Sequence, residues 1–321
     1  RDVDVRGVIL NKIGSKRHGE KAADAIEAYT GVEVLGIVPR DDTMALTMRH
    51  LGLVPAREGV TRVDDFRERI NKVRNVIKET VDVDRIAEIA REAPELPSVK
   101  PRVFTREPAR GVRIGVALDE AFNFYYKDNL ELLRLKGAEI IDFSPIHNAR
   151  LPEVDGVVIG GGYPEFFARE LSENEGMRND LMEASRQGMP IYGECGGLMY
   201  LVEKQVLEDG RAYPMVGALG GRALMLHVRT IGYVCGTIKE TTPAGPQGSS
   251  FRGHEFHHSV IVDVPADAQF AYRLSRGIGI VDGNDGLVSR NTIGAYTHIH
   301  AAGYPEHTRQ LVDACLKFKS P

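Results

Sequence analysis

Short apolar stretches alternate along the sequence with stretches of helical periodicity, and this alternation restricts the fold more than any other feature. Strands are expected at GVILN (7–11), VEVLGIVP (32–39), RIGVALDE (113–120), AEIIDFSP (138–145), DGVVIGGG (155–162) and MPIYGE (189–194). Helical periods fall at about 19–29, 63–93, 129–137, 174–188, 197–204 and 305–318. Strands that are apolar on both faces belong to parallel sheets covered by helices on both sides. The sequence therefore predicts an α/β fold.

A proline-rich stretch separates two such series. PELPSVKPRVFTREPARG, residues 94–111, has four prolines and no hydrophobic period, which is typical of a stiff linker. A chain of 321 residues is long enough for about two domains. We therefore expect the end of one α/β domain at residues 1–93, a linker at 94–110 and a second α/β domain at 111–321, whose residues 211–300 are richer in strands.

The charge balance and the apolar content exclude several classes of protein. Lys and Arg number 41 against 45 Asp and Glu, so the chain lacks the basic excess with which proteins neutralise nucleic acid phosphates. No apolar run approaches the roughly 18 residues that span a bilayer, and the N-terminal residues do not resemble a signal peptide. The cysteines, Cys195, Cys235 and Cys315, are widely spaced, which fits single thiols in a reducing compartment. We expect a cytoplasmic protein that binds neither nucleic acid nor membranes.

The sharpest local pattern is PIYGECGGLMYLVE, in which an apolar strand is followed by Gly193, Glu194, Cys195, Gly196 and Gly197 and at once by a helix. Small residues beside a nucleophile allow a strained turn from strand to helix, which exposes the nucleophile at the positive end of the helix dipole. The pattern thus favours a nucleophilic thiol. A cysteine that merely fills a tight turn is an equal alternative on this pattern alone.

A second candidate lies far downstream, in SRNTIGAYTHIHAAG, where an apolar strand leads to His298 and His300. A Cys and a His at strand ends of one sheet form a plausible nucleophile and base. Taken by itself, either histidine is more often a structural residue.

Histidines are also concentrated in GHEFHHS, with His254, Glu255, His257 and His258. The spacing differs from that of HExxH zinc sites, and on an extended strand His254 points opposite to Glu255 and His257. We therefore predict no metal site here.

Together, motifs along the chain resemble the cobyrinic acid a,c-diamide synthase family, which includes the Ni-sirohydrochlorin a,c-diamide synthases of coenzyme F430 assembly. The motifs are GVILNKIGSKRH, RHLGLVPARE, DEAFNFYYKDNLELL, DGVVIGGGYPEFFARELSEN, GECGGLMYL, RGHEFHHS and YTHIH. The resemblance runs from Gly7 to the C-terminus. It implies a class I glutamine amidotransferase-like, flavodoxin-like domain, preceded by the end of a dethiobiotin-synthetase-like P-loop ATPase domain.

The resemblance also implies roles for residues of the second domain. Cys195 attacks the side-chain amide of glutamine, giving a thioester and ammonia, and His298 serves as its base. Backbone N–H groups at Gly196 and in the Gly160 to Gly162 loop, which includes Gly161, stabilise the oxyanion.

One departure concerns the residue that orients the base. In the wider amidotransferase pattern a carboxylate stands two residues after the catalytic histidine, whereas this sequence has His300 there. His300, a carboxylate from elsewhere or no third residue at all are the alternatives, and Glu306 is too far along the chain to be the equivalent by spacing.

The ATP-binding half departs further. A P-loop needs G-x-x-x-x-G-K-[ST], yet neither Gly-Lys-Ser nor Gly-Lys-Thr occurs. The chain also lacks an initiator Met, so we expect it to be a piece of a longer protein whose P-loop part, binding most of the ATP and Mg²⁺, precedes it. Asn11, Pro39 and Arg40 resemble adenine-side elements, although a strand-end cap and a loop start are equally good interpretations. The loop from Arg49 to Glu58 is expected near the acceptor or ATP.

The reaction implied is glutamine- and ATP-dependent amidation of the a- and c-acetate carboxylates of a tetrapyrrole, either cobyrinate or Ni-sirohydrochlorin. Alternatives are a glutaminase-like binding or regulatory module that needs an ATPase partner, and an amidotransferase for another acceptor, as in cobyric acid synthase. The segments DEAFNFYY and GHEFHHS favour the a,c-diamide pattern. A homodimer is implied by the resemblance only.

Overall fold

The computed structural model describes residues 3–45 and 66–320, which divide into two compact units, Arg1–Val99 and Lys100–Pro321. The division falls inside the proline-rich stretch. The Arg49 to Glu58 loop, including His50, lies outside the described residues.

The first unit contains a parallel pair of strands, β1 (Gly7–Ile13) and β2 (Glu33–Pro39), joined by helix α1 (Lys16–Thr30). The Ser15 hydroxyl caps the start of α1 by accepting the N–H of His18. The helix ends at Gly31, whose φ of 68° is the left-handed conformation that glycine adopts most readily.

The helical stretch predicted over residues 63–93 is two helices in the described residues, α2 (Phe66–Thr80) and α3 (Val83–Glu92). The helix is interrupted between them, and Asp82 caps the start of α3, because its carboxylate accepts the N–H of Arg85. Residues 63–93 contain neither Gly nor Pro, the usual signals that a helix ends, so the sequence pattern predicts one continuous helical stretch.

The second unit is built on one large mixed sheet. The strands of this unit are β3 (Val112–Ala117), β4 (Phe122–Phe124), β5 (Ala138–Phe143), β6 (Gly156–Ile159), β7 (Gly161–Gly162), β8 (Ile191–Glu194), β9 (Lys204–Val206), β10 (Ala212–Pro214), β11 (Arg222–Ile238), β12 (Ser250–Val262), β13 (Gln269–Arg276), β14 (Asn284–Ser289) and β15 (Thr292–Ala295). Apart from β4 and β7, which form a separate antiparallel pair, they all belong to the large sheet of this unit. Its helices are α4 (Lys127–Leu135), α5 (Ala168–Glu173), α6 (Glu175–Arg186), α7 (Gly196–Leu201) and α8 (Glu306–Lys319).

Half of the sheet is parallel, in the order β5-β3-β6-β8-β15. Numbered along the chain, this order is 2-1-3-4-5, the flavodoxin-like arrangement, in which ligands bind at the carboxyl ends of the strands. The central strands are buried, with Ile114, Val157 and Ile191 fully inaccessible. Because β8 and β15 are parallel neighbours, the residues that follow each strand lie at the same edge of the sheet.

The other half continues from β15 through the antiparallel strands β14, β13 and β11, with β12 paired to β11. The β11–β12 hairpin is its longest feature, with strands of 17 and 13 residues. The strand-rich character expected for 211–300 is therefore part of the same sheet.

Part of the predicted linker packs on the second unit. The N–H of Glu107 donates to the carbonyl of Leu135, and its carboxylate binds the ammonium of Lys136 at 2.9 Å. Among the described residues, no helix combines the length and the apolar character needed to cross a membrane.

Candidate active site

Cys195 occupies the turn between β8 and α7. Its φ of 53° and ψ of −98° lie outside the usual regions for a non-glycine residue. The turn is held because the N–H of Cys195 donates to Ala295 at 2.7 Å and its carbonyl accepts from Met199 at 3.1 Å. Such strain persists only where surrounding contacts impose it, and it is a feature of nucleophile turns.

Glycines around the turn are required by close backbone approach. A Cβ at Gly197 would lie 2.0 Å from the carbonyl oxygen of Ile159, and one at Gly193 would lie 2.9 Å from the carbonyl carbon of Gly197. At Gly196 it would meet Pro164 at 3.0 Å. Helix α7 can therefore begin directly behind Cys195 only because these positions lack side chains.

Gly197→Ala tests this packing. The added methyl group would collide with backbone that cannot move away, so we expect the free energy of unfolding to fall by about 3 kcal/mol or more. Urea denaturation followed by circular dichroism measures the change. Gly232→Ala is the matched control, because a Cβ there meets nothing within 4 Å. Equal unfolding midpoints for the two variants would contradict the close approach.

The base lies beside the nucleophile because β15 pairs with β8, with Ala295 opposite Glu194. Past the end of β15, the buried carboxylate of Asp285 accepts the N–H groups of Tyr296 and Thr297 and the hydroxyl of Thr297. This fixes the segment that carries His298, whose ring lies beside the side chain of Cys195.

The residue that orients His298 is Glu194, the neighbour of the nucleophile. Nδ1 of His298 donates to Oε1 of Glu194 at 2.9 Å, and Oε2 of Glu194 accepts the N–H of Ile299 at 3.2 Å. The three residues, Cys195, His298 and Glu194, are 8%, 9% and 8% exposed. With Nδ1 engaged by the carboxylate, Nε2 remains for the thiol.

Burial and charge act in opposite directions on this pair. Burial alone would lower the pKa of His298, but the Glu194 carboxylate and the contact with Cys195 outweigh it and raise the pKa well above its ordinary value. Burial alone would raise the pKa of Glu194, but His298 and the N–H of Ile299 outweigh it and lower the pKa. Each of the two groups therefore favours the charged form of the other.

Of the three alternatives for the residue that orients the base, the structure places a carboxylate from elsewhere, Glu194, and not His300, against the His298 ring. The His300 ring packs against Tyr126 with centroids 4.6 Å apart, and its Nε2 lies 3.4 Å from the Asp128 carboxylate. In an extended segment, residues two apart point to the same side, so His298 and His300 would be expected to share their surroundings. In the structure, however, the partners of the two histidines come from different elements. Sequence analysis missed Glu194, although it stands inside the quoted motif, because it compared only positions downstream of the histidine.

Strand β12 borders the site. The ring of His254 stacks on that of His298 at 4.7 Å, and the two residues exchange backbone hydrogen bonds of 3.1 and 2.8 Å. The carbonyl of Phe256 accepts from Sγ of Cys195 at 3.6 Å. Burial and the neighbouring charge of His298 lower the pKa of His254. No group of three His, Cys, Asp or Glu side chains in the described residues could hold a metal ion.

The glycine loop after β6 faces the nucleophile. A Cβ on Gly161 would lie 3.2 Å from Cε1 of His298 and 3.9 Å from Cβ of Cys195, and one on Gly196 would lie 3.2 Å from the N of Gly162. Gly196 is the first residue of α7, so its N–H has no acceptor within the helix. The N–H of Gly160 donates instead to the Tyr125 hydroxyl at 2.8 Å, which leaves Gly161 and Gly162 as the predicted oxyanion donors of this loop.

In the first unit, Pro39 and Arg40 line a cleft of about 790 Å³ at the carboxyl ends of β1 and β2. That volume lies in the range of sites for molecules of nucleotide size. Asn11 is not among the lining residues, and its side-chain oxygen accepts the N–H of the next residue, Lys12, at 2.8 Å within β1. Nucleotide binding by these residues stays a prediction.

The fold and the Cys–His–Glu site define a glutamine amidotransferase, and the comparisons agree. The family model of the CobB/CobQ-like glutamine amidotransferase domain matches residues 113–305. The chain is 52% identical to the cobyrinate a,c-diamide synthase of Methanosarcina barkeri and 50% identical to that of Methanosarcina acetivorans, in each case over 99% of this chain and 68% of the relative. The chain belongs to the cobyrinate a,c-diamide synthase family and is a glutamine-dependent, amide-forming ligase.

The similarity of this chain to solved structures is weaker than its similarity to these sequences. A chain in the solved structure of PurLQS from Thermotoga maritima has a TM-score of 0.49 and 18% identity, covering 65% of this chain and 99% of that one. The family assignment rests on the sequence comparisons alone.

Proposed function

We propose that this chain releases ammonia from glutamine at Cys195 for the ATP-dependent amidation of the a- and c-acetate carboxylates of cobyrinate. The observation that carries the proposal is the buried row Cys195, His298 and Glu194 at the end of β8, in which His298 lies beside Cys195 and is hydrogen-bonded to Glu194. The names of the relatives support the acceptor, since both act as cobyrinate a,c-diamide synthases.

The geometry supports a thioester mechanism. Sγ of Cys195 attacks the amide carbon of glutamine while His298 holds the thiol proton, and the N–H groups of Gly161, Gly162 and Gly196 stabilise the oxyanion. Collapse of the tetrahedral intermediate breaks the carbon–nitrogen bond, and His298 gives its proton to the leaving ammonia. A water molecule, deprotonated by His298, then hydrolyses the thioester to glutamate and restores the thiol.

The acceptor must be activated because a carboxylate is a poor electrophile. ATP, when bound, supplies the phosphoryl group that turns the acetate into an acyl phosphate, from which ammonia displaces phosphate. Within this chain, Pro39 and Arg40 would hold the adenine side of the nucleotide. No step is assigned to Mg²⁺, since the described residues offer no group of ligands for it.

Isotope transfer tests the proposal. With glutamine labelled by ¹⁵N in its side-chain amide, and with ATP, Mg²⁺ and a separately supplied P-loop ATPase segment, we expect cobyrinate to gain two labelled amides, detected by mass spectrometry. Omitting the segment is the control for the predicted P-loop part. Parallel reactions with Ni-sirohydrochlorin show which acceptor is used.

The outcomes separate the alternatives. Label in neither acceptor despite glutamine hydrolysis would reject the acceptor and favour another amidotransferase, such as a cobyric acid synthase type. Absence of glutamine hydrolysis together with tetrapyrrole binding would favour a binding or regulatory module.

A further inference from the structure

Outside the catalytic residues, the sheet face formed by β11, β12 and β13 presents two arginines, one of which lies over an exposed aromatic ring. Arg252 and Arg276 pair with Cys235 from its two sides. Directly paired residues of neighbouring strands project to the same face. The Arg276 guanidinium carbon lies 5.7 Å from the centre of the Tyr233 ring, which places Tyr233 on this face too.

The same face carries unusual exposed apolar surface. Ile231 and Tyr233 are 65% and 72% exposed, and large apolar side chains grouped in this way mark binding surfaces. Tyr233 pairs with His254 and Ile231 pairs with Phe256, the two β12 residues that contact His298 and Cys195. The surface is therefore continuous with the glutaminase site.

The positive charge of the two arginines is not neutralised. Arg150, Arg211 and Arg222 each form an ion pair with an aspartate. By contrast, among residues 3–45 and 66–320 no carboxylate lies within the 4.0 Å ion-pair distance of Arg252 or Arg276. Planar guanidinium groups bind carboxylates with paired hydrogen bonds, so two free arginines beside an aromatic platform fit a flat ligand with an anionic rim.

The spacing suits a ligand larger than glutamine. Arg252 lies four residues before Phe256 on β12, about 13 Å along an extended strand. A ligand that covers Tyr233 can therefore reach the arginines with one edge and the catalytic end of β12 with the other.

We propose that this face, defined by Ile231, Tyr233, Arg252 and Arg276, binds the acceptor through its carboxylate side chains and the flat ring of its macrocycle. The proposal rests on the proposed function. Under this proposal, the chain contributes to the selectivity for the polycarboxylate macrocycle that receives ammonia.

The test is the binding of cobyrinate to the full chain, measured by isothermal titration calorimetry. We expect the double variant Arg252→Gln, Arg276→Gln to bind about tenfold or more weakly, since charge-assisted hydrogen bonds contribute about that factor. Arg211→Gln, an exposed arginine near the far end of β11 that is paired with Asp209, is the matched control and should bind as the wild type does. Cobyrinate with its carboxylates methyl-esterified should bind the wild type as weakly as cobyrinate binds the double variant.

Equal affinity of the double variant and Arg211→Gln, or no binding of cobyrinate by the wild type, would overturn the proposal. A higher KM for glutamine with an unchanged cobyrinate affinity would overturn it as well. Failure of the proposed function is distinguishable, because it appears in the wild-type chain as no glutamine hydrolysis, or as no transfer of ¹⁵N to cobyrinate although cobyrinate binds.

Discussion

Cys195→Ala is expected to lower kcat/KM for glutamine hydrolysis by about four powers of ten or more. The variant loses the sulfur that forms the thioester, and the buried thiol of Cys315 cannot replace it, since Cys315 lies beside Gly156 at the opposite end of β6. Ammonia release, measured by a coupled assay, reports the change. The substitution removes a small side chain from a strained turn, so the fold should persist.

Cys315→Ala provides the matched control, because it also removes a buried thiol from the second unit. We expect its glutaminase activity to stay within a few-fold of the wild type. If both variants kept wild-type ammonia release, Cys195 would not be the nucleophile, and the thioester mechanism would be rejected.

Glu194→Gln is expected to lower kcat/KM by about 10² to 10⁴, the scale on which losing an orienting carboxylate affects a catalytic triad. The amide removes the charge that raises the pKa of His298, so the imidazolium would lose its proton at a lower pH. The alkaline limb of the pH profile of kcat/KM should therefore move to lower pH. A purely structural role would reduce activity without moving that limb.

Glu194→Asp and His300→Gln complete the comparison. The aspartate keeps the charge, so the alkaline limb should stay nearer its wild-type position than in Glu194→Gln. His300→Gln should change kcat/KM by no more than a few-fold, because its ring contacts Tyr126 and Asp128 instead of the base. A larger loss in His300→Gln than in Glu194→Gln would restore His300 as the orienting residue.

The parallel half of the sheet and the nucleophile turn could be predicted from the sequence because both depend on local signals. Strands such as Gly156–Ile159 are continuous apolar runs. The glycines on either side of Cys195 predict a turn, because few other residues are compatible with it. The class of the second domain followed from motifs that lie on these elements.

The pairing of strands that are distant in sequence could not be predicted from local signals. Stacking of His254 on His298 depends on a bridge between β12 and the segment after β15, and nothing in the local sequence sets that register. Glu194 was missed for a related reason, since a residue before the nucleophile meets the histidine only through the pairing of β8 with β15.

The pairing of Ala295 with Glu194 makes the catalytic site a reporter of strand alignment. A slip of one residue between β15 and β8 would turn His298 to the opposite face of the sheet, although every helix and strand could still be formed. Ammonia release during refolding would therefore count only molecules whose strands have aligned correctly, whereas circular dichroism would count misaligned ones as well. The delay between the two signals would measure how long the chain spends correcting its alignment.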